Sequence, residues 1–140
     1  MLYLDTSLLV AALSNEADTP RIQAWLSEQN PEELAISDWV TTEFSSALSI
    51  KLRTGQIRSS DRANILAAFA QLAAGSLIVW PVTRSQFRAA AKYADQYSLG
   101  LRAGDALHLA ISGDHGAELC TLDKRMAECG RASGVKTMLV

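Results

Sequence analysis

The sequence predicts an α/β fold: a mainly parallel five-stranded sheet with helices over both faces, in a three-layer α/β/α arrangement. Five short apolar runs are spaced along the chain, at Leu2 to Leu4, Leu34 to Ile36, Leu77 to Trp80, Glu118 to Leu122 and Val135 to Leu139. Between them lie longer segments whose apolar residues recur at three- and four-residue spacing. Strands that alternate with helices call for right-handed crossovers, which lay the strands parallel and the helices on both faces. At 140 residues the chain fits one domain, residues 1–140, with a core that needs neither disulfides nor a structural metal.

The first strand ends at Asp5, and Ser7 is placed to cap a helix through Leu13. Thr19 suits the cap of the next helix and Pro20 its first turn, with Ile22, Trp25 and Leu26 on one face. Asn30-Pro31 breaks the chain before the second strand. Ser37 or Asp38 caps a long helix to Gly55, along which Val40, Phe44, Ala47, Leu48 and Leu52 repeat at helical spacing. Ser59, Ser60 or Asp61 starts the fourth helix, which carries Ile65, Leu66, Phe69 and Leu72 and stops at Gly75. The third strand closes on Pro81, and Trp80 at its end is expected in the core. Thr83 caps a helix to Tyr97, another runs from Arg102 or Ala103 to about His115, and Lys124 to Arg131 forms the last.

Half the residues are apolar and a fifth are charged, an ordinary globular balance. No basic and apolar leader opens the chain, and no apolar stretch is long enough to span a bilayer, so a cytoplasmic protein is expected. Cys120 and Cys129 lack CxxC spacing, and neither His108 nor His115 completes a zinc pattern with them. They read as reduced core thiols. The formal charge is −2, and without the four acids discussed next it is +2. Charge therefore neither favours nor excludes a nucleic-acid partner.

In a parallel α/β sheet, ligands bind beyond the carboxyl ends of the strands. Asp5 and Asp123 end the first and fourth strands there. Asp105 lies in the first turn of the helix leading into the fourth strand, whose N-terminus is at the same edge. Glu43 sits in the second turn of the helix after the second strand, and helical side chains lean towards the N-terminus. Each acid has a plainer explanation. Asp5 and Asp123 could be helix caps, and Asp105 could complement a helix dipole. Glu43 is too far inside its helix to cap it, and no lysine or arginine lies three or four residues away. Together, four ionised carboxylates repel one another unless a cation intervenes. Oxygen donors without histidine or thiolate favour Mg²⁺ or Mn²⁺, which lower the pKa of bound water and neutralise charge growing on a phosphodiester.

At these residues the chain resembles the PIN-domain nucleases, in particular the VapC toxins of type II toxin–antitoxin systems. The resemblance is carried by YLDTS (Tyr3 to Ser7), the isolated Glu43, LRAGDALHLA (Leu101 to Ala110), TLDKRM (Thr121 to Met126) and the segment around Gly55. It spans essentially the whole chain and implies a PIN-like fold and an endoribonuclease using Mg²⁺ or Mn²⁺. It further implies that Asp5, Glu43, Asp105 and Asp123 are catalytic and hold the metal. Transfer or ribosomal RNA as substrate, a homodimer and a cognate VapB-type antitoxin that blocks the site with its C-terminal segment also follow from it. Gly104 stands where a small residue such as alanine is common.

Around the acids, Thr6, Ser7 and Thr121 are candidates to orient them or bound water, and Arg102 to hold substrate phosphate. A cap or an ordinary strand threonine explains Ser7 and Thr121 as well. His108 reads mainly as a packed helix histidine, with bracing of Asp105 or contact with RNA as the alternatives. Lys51, Arg53, Arg58 and Arg62, and separately Arg84, Arg88 and Lys92, are basic groups that either bind phosphate or form solvated helix faces. Trp25 and Trp39 could stack unpaired bases.

Three other functions compete. A haloacid-dehalogenase-like phosphatase needs a second aspartate where Ser7 stands, and a receiver domain needs an acid where the third strand ends in Pro81-Val82. A catalytically degenerate PIN-fold binding module is the third, and it is opposed by the presence of all four acids.

Overall fold

A computed structural model describes residues 1–140. In chain order the elements are β1 (Leu2–Leu4), α1 (Thr6–Leu13), α2 (Thr19–Ser27), β2 (Leu34–Ser37), α3 (Asp38–Arg53), α4 (Ser59–Ser76), β3 (Ile78–Trp80), α5 (Arg84–Asp95), α6 (Ala103–Asp114), β4 (Glu118–Thr121), α7 (Lys124–Ala132) and β5 (Thr137–Leu139). Short 3₁₀ turns occupy Pro31–Glu33 and Tyr97–Leu99.

The sheet has the order β3-β2-β1-β4-β5, and every pairing is parallel. From β1 the chain steps outward through β2 to β3, then crosses back to β4 and on to β5. The reversal lies between β1 and β4, whose Leu4 and Cys120 are paired. At such a switch point the two crossovers leave on opposite faces, and a crevice opens beyond the strand ends. Right-handed crossovers place α1 to α4 over one face and α5 to α7 over the other, which is the three-layer arrangement the sequence predicts.

Local chemistry explains the elements. On α3, Val40, Phe44 and Leu48 fall on one stripe and are fully buried. Phe44 stacks on Phe69 of α4 with ring centroids 4.3 Å apart, which ties the two helices together. α6 is buried without a break from Ala106 to Ser112, so it is a central helix and has no solvent face in that stretch. Leu4, Leu8, Leu9, Ile36, Leu109, Ile111 and Leu119 complete the densest part of the core. Cys120 and Cys129 are free and buried. No helix is long and apolar enough to cross a membrane.

Several expectations need correction. Asp5, not Ser7, caps α1: its backbone is extended and its carboxylate accepts the Leu8 amide at 3.3 Å. Thr19 lies inside α2; its hydroxyl accepts the Glu16 amide and donates to the Ala11 carbonyl, tying the α1–α2 connection together. Helix α4 follows Arg58, whose amide is taken by the Asp61 carboxylate at 2.9 Å. Helix α5 stops at Asp95, so Tyr97 falls in a 3₁₀ turn and is 92% exposed. Trp80 is only half-buried, and Ile78 and Val79 are 40% and 41% exposed. β3 is an edge strand, and an apolar run does not reveal which strand lies at the edge.

The α3–α4 contact yields a stability prediction. Phe44→Ala should lower the unfolding free energy by about 3–5 kcal/mol, the usual cost of emptying a buried phenylalanine site. Urea denaturation measures it; a loss below about 1 kcal/mol would show that the Phe44–Phe69 stack does not hold the two helices.

Candidate active site

Asp5 follows β1 directly and Asp123 lies two residues beyond the end of β4, so the two flank the switch crevice. Glu43 comes in from α3 on one face and Asp105 from the first turn of α6 on the other. All four line a single cleft of about 290 Å³, together with Thr6, Ser7, His108 and Met126. No lysine or arginine lines it. A slightly larger hollow, about 310 Å³, lies beside the α3–α4 connection. Its one acid, Asp61, is paired with Arg58 at 3.1 Å, so it concentrates no charge.

Asp5 is 3% exposed. Its Oδ1 accepts from the Ser7 hydroxyl at 2.5 Å and the Leu8 amide, and its Oδ2 accepts from the Thr121 hydroxyl at 2.6 Å. Burial pushes its pKa above the ordinary carboxylate value, against the opposing charge of His108 and these hydrogen bonds. The same hydroxyls also reach the neighbouring strand end. Ser7 Oγ accepts the Leu122 amide and Thr121 Oγ1 accepts the Asp123 amide. Asp123 is exposed and caps α7, its Oδ1 accepting the amides of Arg125 and Met126 at 2.8 and 3.1 Å. Its Oδ2 has no hydrogen-bond partner in the protein. The capping explanation thus holds for both aspartates, and capping leaves each of them facing the cleft.

Glu43 is held by two donors. Its Oε2 accepts from the Thr6 hydroxyl and from His108 Nε2, each at 2.6 Å. A methyl group at Gly104 would come within 2.6 Å of Oε1, so glycine leaves the room this carboxylate occupies. The Trp39 indole N–H faces the same group without reaching hydrogen-bonding geometry. Burial works against ionisation of Glu43, but the bond and charge of His108, followed by Thr6, outweigh it and hold the pKa below the usual range. Asp105 is half-buried, and burial followed by the charge of Asp123 raises its pKa.

Arg102 is exposed, precedes α6 and does not line the cleft. Among the other basic residues, Lys51 is paired with Glu16 at 2.6 Å and Arg58 with Asp61, so neither is free. Sequence reasoning missed Tyr3 and Ser37, which are hydrogen-bonded behind His108. Tyr3 reads as an ordinary strand aromatic, and only its place beside the DTS segment offered a signal.

The pattern of the PIN domain family matches residues 2–132. The chain belongs to the PIN domain family. No curated protein sequence matches it significantly. Among solved structures, this PIN domain is similar to Mycobacterium tuberculosis VapC20, described as a Sarcin-Ricin loop cleaving toxin (TM-score 0.76, 19% identity, covering 100% of this chain and 98% of that one). It is similar to FitAcB of Neisseria gonorrhoeae (TM-score 0.71, 18% identity, 99% and 96% covered). It is also similar to Rickettsia felis VapBC2 bound to a promoter DNA fragment (TM-score 0.67, 18% identity, 99% and 98% covered). At these identities the likeness is one of fold.

The donor set of this PIN domain fits a hard divalent cation: four carboxylates, two of them with raised pKa values, and no lysine or arginine among the cleft lining. No three acid, histidine or cysteine side chains are placed to hold an ion together. The fit therefore rests on the chemistry of the donors, each of which can meet an ion directly or through one of the waters that Mg²⁺ commonly keeps.

The raised pKa of Asp105 gives a signed prediction. A carboxyl that binds its proton more tightly when folded stabilises the fold below its unfolded pKa and loses that contribution as pH rises through the folded value. Without added metal, Asp105→Asn should therefore melt on the order of a few degrees above the parent chain at pH 7. The gap should close as pH falls below about 4. Equal melting temperatures at pH 7 would mean that Asp105 is not under electrostatic stress.

Proposed function

We propose that this PIN domain is the toxin of a type II toxin–antitoxin module, an endoribonuclease that hydrolyses RNA phosphodiester bonds. One observation carries this reading: four carboxylates from four separate elements line one cleft that has no lysine or arginine. The similarity to VapC20 and the other toxin–antitoxin structures supports it. When bound, Mg²⁺ or Mn²⁺ would supply Lewis acidity towards the phosphate and a more acidic water.

Asp5, Glu43, Asp105 and Asp123 would hold the metal and are the proposed catalytic acids. Asp5 is the most fully hydrogen-bonded of them, with its oxygens oriented by Ser7, Leu8 and Thr121. Glu43 is kept ionised and fixed by His108 and Thr6, which suits it to hold metal or accept a proton from water. Asp123 lies at the exposed rim and offers a free Oδ2, and Asp105 faces it across the cleft. Thr6, Ser7 and Thr121 would act through these acids, and exposed Arg102 would meet phosphate outside the cleft.

The remaining parts of the proposal rest on the family. Transfer or ribosomal RNA would be the substrate, and a VapB-type antitoxin would insert its C-terminal segment into the cleft. The active form would be a cytoplasmic homodimer of single-domain protomers spanning residues 1–140.

The antitoxin-free protein should cleave a mixed RNA pool in Mg²⁺ or Mn²⁺, with loss of activity in EDTA. Asp5→Asn and Asp123→Asn should each lower the rate by at least about 100-fold, as expected for groups that organise the reacting centre. Cleavage that persists in EDTA or in these variants would reject the metal mechanism. Absence of cleavage by antitoxin-free protein would favour the degenerate binding module.

A further inference from the structure

We propose that His108 is a positioning residue for Glu43, and that Tyr3 holds His108 in place for that task. The inference rests on the nuclease reading and extends it to two side chains outside the carboxylate set.

A continuous line of side-chain hydrogen bonds runs from the sheet to the cleft. Ser37 Oγ and Tyr3 Oη are 2.7 Å apart, Tyr3 Oη and His108 Nδ1 2.9 Å, and His108 Nε2 and Glu43 Oε2 2.6 Å. Ser37 and Tyr3 are fully buried and His108 is 2% exposed, so water does not compete for these bonds. Glu43 is the member most open to the cleft; His108 also meets its wall but is almost wholly buried.

The chemistry fixes the direction of the decisive bond. An ionised carboxylate only accepts, so His108 Nε2 must carry the proton it gives to Glu43. When the ring is neutral, Nδ1 is then an acceptor and the Tyr3 hydroxyl supplies the donor; when it is charged, Nδ1 donates to the Tyr3 oxygen, and the same two atoms stay joined. The nitrogen remote from the cleft thereby sets the tautomer of the nitrogen facing it. Tyr3 is itself held by packing: its ring lies parallel to that of Trp80, 5.8 Å away and inclined by 7°.

A histidine buried only for packing has no need to place both nitrogens on side chains, one of them a cleft acid. Bracing of Asp105, one alternative the spacing offered, is not seen: no hydrogen bond joins the two. One turn further into α6, His108 reaches across to α3. Glu43 stands on the face opposite α6, with Thr6 as its other hydrogen-bond donor. Without His108 its carboxylate would keep a single donor and could swing away from the cleft.

The test combines kinetics with a spectroscopic readout that needs neither metal nor activity. His108→Leu keeps the bulk but removes the donor, and should lower kcat by about 10–100-fold while leaving KM within about twofold. His108→Gln returns an N–H near the original Nε2 and should recover kcat to within about fivefold of the parent. Tyr3→Phe keeps the aromatic stack, removes the hydroxyl, and should lower kcat by less than His108→Leu. Long-range ¹H–¹⁵N spectra of the metal-free parent should show His108 protonated at Nε2, and Tyr3→Phe should shift both ring nitrogens. A parental kcat in His108→Leu, or a ring protonated only at Nδ1, would overturn the proposal. If His108→Leu fails to fold, His108→Gln, Tyr3→Phe and the spectra decide it. If the parent chain does not cleave RNA, the nuclease reading falls on its own, and the Nε2 proton alone decides whether His108 holds Glu43.

Discussion

The structure is organised around a concentration of negative charge at the point where the sheet reverses direction. Two strand ends and two helix starts bring four carboxylates to that crevice, and one of them, Asp5, is nearly inaccessible to solvent. A buried ionised carboxylate without partners is unfavourable by several kcal/mol. Here three of the four acids are provided for separately. Asp5 receives two hydroxyls and an amide, Asp123 two amides and Glu43 a hydroxyl and an imidazole. None receives a lysine or an arginine. Hydroxyl and amide donors orient a carboxylate and leave its charge in place, so the crevice keeps the potential that a divalent cation or a water-bridged phosphate would meet.

Helix capping and site construction use the same atoms. In capping α1 and α7, Asp5 and Asp123 turn one oxygen towards backbone amides. Ser7 and Thr121 link the two: each donates to Asp5 and accepts an amide from the β4–α7 connection. The spacing between the ends of β1 and β4 is therefore set by side chains that also orient the site. A change at either hydroxyl would disturb folding of the connection and the placement of Asp5 together.

Much of this was legible in the sequence, because its signals were local or periodic. Helical spacing of Val40, Phe44 and Leu48 marked α3, apolar runs marked the five strands, and alternation gave the parallel sheet. The convergence of the four acids followed from the sheet-edge rule with no knowledge of contacts. Long-range relations were not legible. Nothing near Trp80 tells that β3 is an edge strand, since that depends on strand order. Nothing near His108 tells that its partners are Glu43 and Tyr3, which lie 65 and 105 residues away. The sequence left the basic group near Gly55 between a phosphate site and a solvated helix face, and only the geometry shows Lys51 and Arg58 engaged with Glu16 and Asp61.

Direct measurement of cation uptake bears most closely on the charge of the crevice. Calorimetric titration of Mn²⁺ into the metal-stripped chain should give saturable heat, and Asp123→Asn should weaken the binding by an order of magnitude or more. A parent chain that takes up no Mn²⁺ or Mg²⁺, or whose uptake is unchanged by that substitution, would contradict a metal-dependent site at this crevice.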